Sequence, residues 1–375
     1  KGIIYNRPYV TTKTPEANPD VVEPTDYNSL FLKLLAHENI ASRAAIFETY
    51  DKQVQGRTHF EAGFADAGVM QPFNEEKYPE EIRKTGIALS LDHNPYYNAI
   101  DAYWGAVNAV IESVRNIAAV GAYPVALTDC LCFGNPEKPE SMGEFVLAVQ
   151  GIIDACAAIK IATHPTACLP VIAGNVSLYN ESHKGSIPPS PMISCLGVLT
   201  DVTQAITYDF KEADSLLILI GERKDECGGS IYYQLLDQQS TAIPKPNLSL
   251  VNQEIQALNS AIAKGLVLAA HDISEGGVAV ALAEMSFKNH IGAEVTLDGN
   301  LRADTLLFSE TGGFILEIAP KNQATFQALM HQYNVSYQPI GYTKKQPLLV
   351  MNTVIQVSVM QAYEAWNEGL RARLL

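Results

Sequence analysis

The segment that decides the fold reads Val-Ile-Ala-Gly-Asn-Val-Ser-Leu-Tyr-Asn over residues 171–180. It begins as a short apolar run and breaks into Gly, Asn and Ser, a pattern typical of a buried strand that ends in a polar loop. An earlier segment, Thr-Asp-Cys-Leu-Cys-Phe-Gly-Asn-Pro-Glu-Lys over residues 128–138, has the same form. Glycine permits close backbone approach, Asn and Asp offer oxygens to a cation, and Ser and Lys can contact phosphate. Two such loops predict a phosphate and magnesium site, and neither is a P-loop.

Strands and helices alternate on both sides of these segments, which predicts a mixed α/β (α+β) fold. Apolar runs predict strands at 86–92, 124–131, 193–202, 215–221, 267–270 and 314–319. Helical periodicity predicts helices within 28–50 and at 102–120, 145–161, 252–264, 277–287, 324–333 and 360–375. We expect a linker or extended arm over residues 1–25, an N-terminal domain over 26–205 and a C-terminal domain over 206–375.

The charge, the apolar runs and the cysteines of the chain indicate which partners and which cellular compartment to expect. Lys and Arg total 26 against 41 Asp and Glu, a formal charge of −15, which argues against a nucleic-acid or anionic-membrane partner. No continuous apolar run reaches the roughly 18–20 residues of a membrane span. The six cysteines, several inside apolar runs, indicate buried thiols in a reducing cytoplasm. The first residue is Lys, so we expect the chain to begin inside a longer polypeptide.

Several side chains are candidates for binding cations. Glu112 and Asn116 stand four residues apart on a predicted helix and emerge from one face that is otherwise small and apolar. Magnesium would compensate the carboxylate there, with Asp66 and Asp272 as further oxygen ligands. The alternative, which spacing alone favours, is that Glu112 pairs with Arg115 or caps a neighbouring loop.

Three other motifs leave two interpretations each. Ser274 and the free amides of the following helix start could hold an anion, or the turn is a simple cap. The loop over residues 221–230 carries two basic residues, and a solvated loop is its favoured interpretation. The pair Cys130-x-Cys132 is only weak evidence for a metal site, and the favoured interpretation is that both side chains are packed in the core.

At this point several motifs, in the same order, resemble those of the formylglycinamide ribonucleotide amidotransferase family, also called phosphoribosylformylglycinamidine synthase. They are DCLCFGNPEKPE (129–140), GNVSLYN (174–180), the loop at 221–230, HDISEGG (271–277) and AVALAEM (279–285). The resemblance runs from about residue 27 to the C-terminus and is to the second half of an internally duplicated synthetase. It implies an N-terminal domain like that of aminoimidazole ribonucleotide synthetase, followed by a C-terminal α/β domain. The two N-terminal domains of such a duplication pack as a pseudo-dimer.

The resemblance also implies roles for single residues. Asp129 and Gly174 resemble the pair that this half lends to ATP, Asn175 a magnesium ligand, and Ser177 a contact to the ribonucleotide. The resemblance also implies a second nucleotide site. Its magnesium ligands would be Asp66, Glu112, Asn116 and Asp272, and Ala65 and Ser274 would contact the nucleotide. The catalytic histidines belong to the first half, so we expect no catalytic residue here. In the first half, the resemblance implies a catalytic motif Glu-Asn-His-Asn-His-Pro. The corresponding place in this chain keeps only His93-Asn-Pro, which we interpret as a relic of the duplication.

Three departures from the family pattern stand out. Cys132 occupies a position where the family usually has Asn, and residues 160–167 resemble an insertion. The segment at 307–313 lacks the Gln or Arg that usually follows the Glu-Ser of this region in the family, so substrate contact by this loop is not expected.

The reaction implied is an ATP-dependent ligation in purine biosynthesis: ATP phosphorylates the amide oxygen of formylglycinamide ribonucleotide, and ammonia displaces phosphate to form the amidine. The cofactors would be ATP and Mg²⁺, with ADP possible at the second site. The partners would be a catalytic N-terminal half or a second copy, and a glutaminase that supplies ammonia. We expect the chain to be inactive alone. The alternatives are an independent homodimeric enzyme related to aminoimidazole ribonucleotide or selenophosphate synthetase, and a non-catalytic nucleotide-binding scaffold.

Overall fold

The computed structural model describes residues 5–11, 15 and 17–374. The residues before 200 build a five-stranded sheet, two short hairpins and the first helices. The strands are β1 (Gly68–Met70), β2 (Gly86–Asp92), β3 (Tyr123–Cys132), β4 (Lys160–Ile161), β5 (His164–Cys168), β6 (Val171–Ser177), β7 (Glu181–Ser182), β8 (Gly185–Ser186) and β9 (Ser190–Leu199). The helices are α1 (Tyr27–Leu35), α2 (Ala44–Phe47), α3 (Glu80–Arg83), α4 (Pro95–Ile100), α5 (Ala102–Ala119) and α6 (Pro139–Ala158).

The first sheet has the order β1-β2-β9-β3-β6, and helices cover only one of its faces. All neighbours are antiparallel except β3 and β6, which are parallel. Along β9, buried and half-buried residues alternate, as expected for a sheet with one covered face. The uncovered face carries Met70, Leu89 and Leu91, of which Leu91 is 72% exposed. This unit therefore leaves apolar side chains without a covering layer.

The second unit is built on a seven-stranded sheet of order β11-β13-β10-β14-β12-β15-β16. Its strands are β10 (Leu216–Ile220), β11 (Ala269–Asp272), β12 (Gly292–Val295), β13 (Phe314–Ile318), β14 (Tyr337–Lys344), β15 (Leu348–Met351) and β16 (Ile355–Ser358). Its helices are α7 (Ile231–Leu235), α8 (Val251–Ala263), α9 (Gly277–Phe287), α10 (Ala303–Phe308), α11 (Gln323–Tyr333) and α12 (Val359–Leu374). Only β12 and β15 pair in parallel. The mixed α/β prediction is thereby confirmed.

Strand β10 is buried at every position because both of its faces are covered. Leu216, Ile218 and Ile220 belong to a core shared with α5, α8 and α11. Leu217 and Leu219 belong to the opposite core, with α1 and α9. Its continuous apolar sequence therefore has a direct structural cause, and the strand predicted at 215–221 is confirmed.

The N-terminal segments cross both units. The described part of residues 1–25 contains no helix or strand; the amide of Val10 donates to the carbonyl of Pro139, and that of Thr241 to the carbonyl of Ala17. Helix α1 contributes Phe31 and Leu34 to the core of the second unit. The segment over residues 26–40 thus packs on the C-terminal half, although it precedes the first sheet in sequence.

The structure departs from the sequence predictions in several places. The periodic segment at 28–50 divides into α1 and α2, because residues 36–42 turn to pair Ser42 with the backbone of Trp366. Residues 164–168 form β5 and pair with β4, so the segment that resembles an insertion is a hairpin. Strands β12 and β14–β16 were not predicted. Helix α6 is the one described helix whose length and apolar composition would suffice to cross a membrane, but this is weak evidence, because core helices pass the same test. It packs against α5.

Candidate functional site

A cluster of buried carboxyl groups lies where the two units meet, at β11, α5 and the loop before β1. Strand β11 delivers His271, whose Nδ1 lies 2.7 Å from Asp66 Oδ1 and whose Nε2 lies 3.0 Å from Glu284 Oε2. Burial alone would lower the pKa of His271, but the two carboxylates outweigh it and raise that pKa well above its usual value. His271 is therefore buried between two carboxylates, although its Nδ1, close as it is to Asp66 Oδ1, makes no hydrogen bond within the described part of the chain.

Asp272 follows on the same strand and faces a second cation. Its Oδ2 lies 3.8 Å from Arg115, whose guanidinium also lies 3.9 Å from Glu112 Oε2. The backbone amide of Asp272 donates to Asp66 Oδ2 over 2.9 Å. Burial, together with the nearby carboxylate of Asp66, raises the pKa of Asp272 to about 8. The pairing of Glu112 with Arg115 and the gathering of carboxylates, weighed as alternatives from the sequence, therefore occur together.

Asp92, at the end of β2, extends the cluster and was not predicted. Asn116 Nδ2 donates to Asp92 Oδ1 over 2.9 Å, while Asp92 Oδ2 is buried and has no hydrogen-bond partner in the part of the chain that the structure describes. Burial raises the pKa of Asp92 to about 7. The pKa of Glu112 is also well above its usual value, first through burial and then through nearby carboxylates. The sequence did offer one indication of Asp92, namely that an acidic residue stands at the end of a predicted strand.

The donor set fits a magnesium ion. Asp66, Asp92, Glu112 and Asp272 outnumber the two cations among them, His271 and Arg115. Among the described residues, neither Asp272 Oδ2 nor Asp92 Oδ2 has a hydrogen-bond partner, and both oxygens are buried. Carboxylate oxygens are the ligands that Mg²⁺ prefers, and unpaired buried charge is costly without a cation. The predicted residues Asp66, Glu112, Asn116 and Asp272 are thus brought together from three segments: the loop before β1, helix α5 and strand β11.

The turn after β11 differs from its prediction. The amide of Gly276 donates to Glu310 Oε1 over 2.9 Å, and the amide of Gly277 donates to the carbonyl of Ser274 over 3.0 Å. These amides at the start of α9 are therefore already paired, which weakens the anion-binding interpretation. Ser274 itself is half-buried beside the cluster, and Ala65 precedes Asp66 in the loop before β1.

The loop over residues 221–230 is more buried than a solvated loop. Arg223 donates to the carbonyls of Ser309, Thr311 and Gly312, and burial lowers the pKa of its guanidinium to about 10. Arg223 therefore anchors the loop to the segment after α10. The solvated-loop interpretation is wrong for this residue. Beside it, a cavity of about 100 Å³ is lined by Arg115, Lys224, Lys245, Asn247, Gly221 and Gly312.

The two segments that opened the sequence argument are neighbouring strands of the first sheet. In the parallel pairing of β3 with β6, Asp129 lies opposite Gly174 and Cys130 lies opposite Asn175. A Cβ at Gly174 would lie 2.0 Å from Asp129 Oδ1, so only glycine leaves room for that carboxylate. Because successive side chains alternate between the faces of a strand, Asn175 and Ser177 point to the uncovered face, opposite to Asp129.

The remaining candidates at this edge are surface groups. Lys138 Nζ lies 2.7 Å from Glu181 Oε1, and both side chains are partly exposed. Ser177 Oγ donates to Asn180 Oδ1 over 3.3 Å. The segments predicted as loops remain strands through Cys132 and Ser177, so Ser177 lies on the sheet itself, whereas Lys138 directly precedes α6 and Glu181 lies in β7.

Two family models match the chain. AIR synthase related protein, N-terminal domain, matches residues 65–199, and AIR synthase related protein, C-terminal domain, matches residues 212–352. Together they cover every strand of the two sheets except β16.

The curated relatives are synthase subunits about twice as long. Phosphoribosylformylglycinamidine synthase subunit PurL of Methanothrix thermoacetophila is 40% identical over 376 residues, which cover 99% of this chain and 48% of that protein. PurL of Methanocaldococcus jannaschii is 41% identical over 313 residues, covering 80% of this chain and 40% of that protein. The chain thus spans about half the length of the curated relatives it matches. The solved structure of T. maritima PurL complexed with FGAR has a TM-score of 0.69 at 16% identity, covering 91% of this chain and 54% of that chain. This likeness concerns the fold.

Proposed function

Because this chain belongs to the AIR synthase related family, we propose that it is the C-terminal half of a phosphoribosylformylglycinamidine synthase. The complete ligase would convert formylglycinamide ribonucleotide, glutamine-derived ammonia and ATP to the amidine, ADP and phosphate. The observation that carries this proposal is the 40% identity over nearly the whole chain to about half of a PurL subunit. The proposal explains why one chain carries two groups of polar residues, the carboxylate cluster and the polar side chains of β3 and β6, but lacks the family's catalytic histidine motif.

The carboxylate cluster is, in this proposal, a second nucleotide site that holds magnesium. Asp66, Glu112, Asn116 and Asp272 would ligate the ion, and Ala65 and Ser274 would contact the nucleotide, ATP or ADP. Support comes from Asp272 Oδ2, which is buried near Arg115 but accepts no hydrogen bond from the described residues, and from carboxyl pKa values that burial raises. Magnesium would supply positive charge to this cluster and to phosphate oxygens. The site is auxiliary, and its role is to hold the two units together.

The edge formed by β3 and β6 would be this half's contribution to the catalytic site. We propose that Asp129 and Gly174 contact ATP, that Asn175 ligates magnesium and that Ser177 contacts the ribonucleotide. The orientation of Asn175 and Ser177 towards the uncovered face supports this, because a site completed by another domain needs groups that point away from their own core. No residue of this chain is assigned a proton-transfer role.

The uncovered face of the first sheet indicates where the partner binds. Leu89 is 55% exposed and Leu91 is 72% exposed, side by side on one face of β2. Exposed apolar patches on a sheet face are typical of interaction sites. The proposed occupant is the catalytic N-terminal half, and a second copy of this chain would bind the same face. A glutaminase would supply ammonia, and the assembly would work in the cytoplasm without nucleic-acid or membrane partners.

The decisive experiment compares the chain alone with the chain supplied with the catalytic half. ADP formation from ATP, formylglycinamide ribonucleotide and ammonia is measured in both. We expect turnover only when both halves are present. Clear turnover by the chain alone would support an independent homodimeric enzyme. If the catalytic half turns over substrate alone, and adding this chain does not change its rate, the result would support the alternative of a non-catalytic nucleotide-binding scaffold.

A further inference from the structure

Two cysteines on β3 occupy a position that burial does not explain. Cys130 and Cys132 are separated by one residue, so both side chains project from the same face of the strand. That face is the uncovered one, and both residues are partly exposed, whereas Cys156, Cys195 and Cys227 are buried. The packing interpretation favoured from the sequence is therefore wrong for this pair.

The spacing of the two sulfurs matches the geometry of a tetrahedral thiolate site. Their Sγ atoms lie 3.8 Å apart. Two thiolates bound to one tetrahedral ion at the usual zinc–sulfur length of about 2.3 Å stand about 3.8 Å apart. The pair therefore has the required sulfur spacing without any movement of the strand, which reduces the ordering cost of binding.

Neighbouring strands supply further donors on the same face. Register places Met192 of β9 opposite Cys130, and it places Ser177 of β6 and Ser190 of β9 opposite Cys132. Thioether and thiolate sulfurs select soft or borderline cations rather than magnesium. The local donor set thus differs in kind from the carboxylate cluster beside β11.

We propose that Cys130 and Cys132 form a two-thiolate site for a thiophilic divalent cation such as Zn²⁺. On binding, each thiol releases its proton and each sulfur donates an electron pair to the ion, so two protons leave per cation bound and no oxidant is required. Water completes the coordination.

The site has a consequence that rests on the proposed function. Asn175 and Ser177 share the face with the two sulfurs. A cation bound there stands next to the groups proposed to hold magnesium and the ribonucleotide, and it therefore inhibits the complete synthase.

The binding test uses Cd²⁺ alone, titrated into the full chain while thiolate-to-cadmium charge transfer is followed in the ultraviolet. We expect one Cd²⁺ per chain at this site, displaced by Zn²⁺, and loss of its absorption band in Cys132→Asn and Cys130→Ser. Cys132→Asn removes the second sulfur independently and decides the test if Cys130→Ser fails to fold. Cys168→Ser is the matched control, because Cys168 is an exposed thiol outside the pair.

Two results would overturn the site: no charge-transfer band in the wild type, or a band that Cys132→Asn retains. Loss of the band in Cys168→Ser would equally contradict it. Inhibition by Zn²⁺ is measured separately on the complete synthase, where Cys132→Asn is expected to relieve it. Because the titration needs no turnover, failure of the proposed function leaves the binding result intact.

Discussion

Glu310 joins three segments of the molecule through one buried carboxyl group. Its Oε1 accepts hydrogen bonds from the amides of Ile231 and Gly276, each over 2.9 Å, and its Oε2 accepts one from the hydroxyl of Tyr97. Burial, with the nearby carboxylate of Glu275, raises its pKa from 4.5 to about 8. The folded protein thus keeps a proton on Glu310 at pH values where the unfolded chain has released it.

The sign and size of the effect follow from this difference. A raised carboxyl pKa gives stability that is fully present below pH 4.5 and is lost as the pH rises towards 8. At about 1.4 kcal/mol per pH unit, Glu310 accounts for a loss of about 4 kcal/mol between pH 5 and pH 8. Glu310→Gln cannot ionise, yet its carbonyl oxygen can still accept from both amides. We therefore expect the stability of the variant relative to the wild type to rise by about 4 kcal/mol over this range.

The assay is urea unfolding of the wild type and Glu310→Gln from pH 5 to pH 8. The difference between the two proteins cancels the titration of other buried carboxyls that the substitution leaves unchanged. Glu76→Gln is the control, since Glu76 is exposed, and its profile should parallel the wild type. A Glu310→Gln profile that also runs parallel to the wild type, within about 1 kcal/mol at every pH, would refute the assignment of a buried protonated carboxyl.

Three further predictions concern the proposed sites. Asp272→Asn should weaken Mg²⁺ binding at least about tenfold, measured as loss of the Mg²⁺-dependent rise in melting temperature; an unchanged rise would remove Asp272 from the ligand set. Gly174→Ala should displace the Asp129 carboxylate, because the added Cβ would lie 2.0 Å from its oxygen, and should lower kcat of the complete synthase roughly 10²-fold with little change in melting temperature. Wild-type kcat in this variant would contradict a role for Asp129. Leu91→Asp should weaken association with the catalytic half in sedimentation experiments while changing folding stability by less than about 0.5 kcal/mol, because Leu91 is exposed, and undiminished association would exclude this face.

Much of the fold could be predicted from local patterns. Helix α9 was predicted with its observed limits, and β10 was recognised from its unbroken apolar run. The missed strands have a common physical reason. Strand β14 contains Pro339 and Gly341, which break the strand pattern, and β16 has only four residues. Pairing with neighbours, rather than intrinsic preference, makes these segments strands.

The site was predictable only in part. Glu112 and Asn116 were correctly placed on one helix face, because a four-residue spacing needs no tertiary information. Cys130 and Cys132 were assigned to packing, because sequence does not tell which face of a sheet remains uncovered. Asp92 was missed, since its partner Asn116 lies 24 residues away and helical spacing does not connect them.

By itself, the sequence determined the alternation of strands and helices, the acidic charge and the local spacing of candidate ligands, because these depend on neighbouring residues. The tertiary structure decided which charges meet. The contact between His271 and Asp66 joins segments about 200 residues apart, and Arg115 reaches both Glu112 and Asp272. The two quoted segments became adjacent strands whose alternate side chains point to opposite faces. Burial and through-space charge set the pKa values of these groups, and both arise only when the chain is folded.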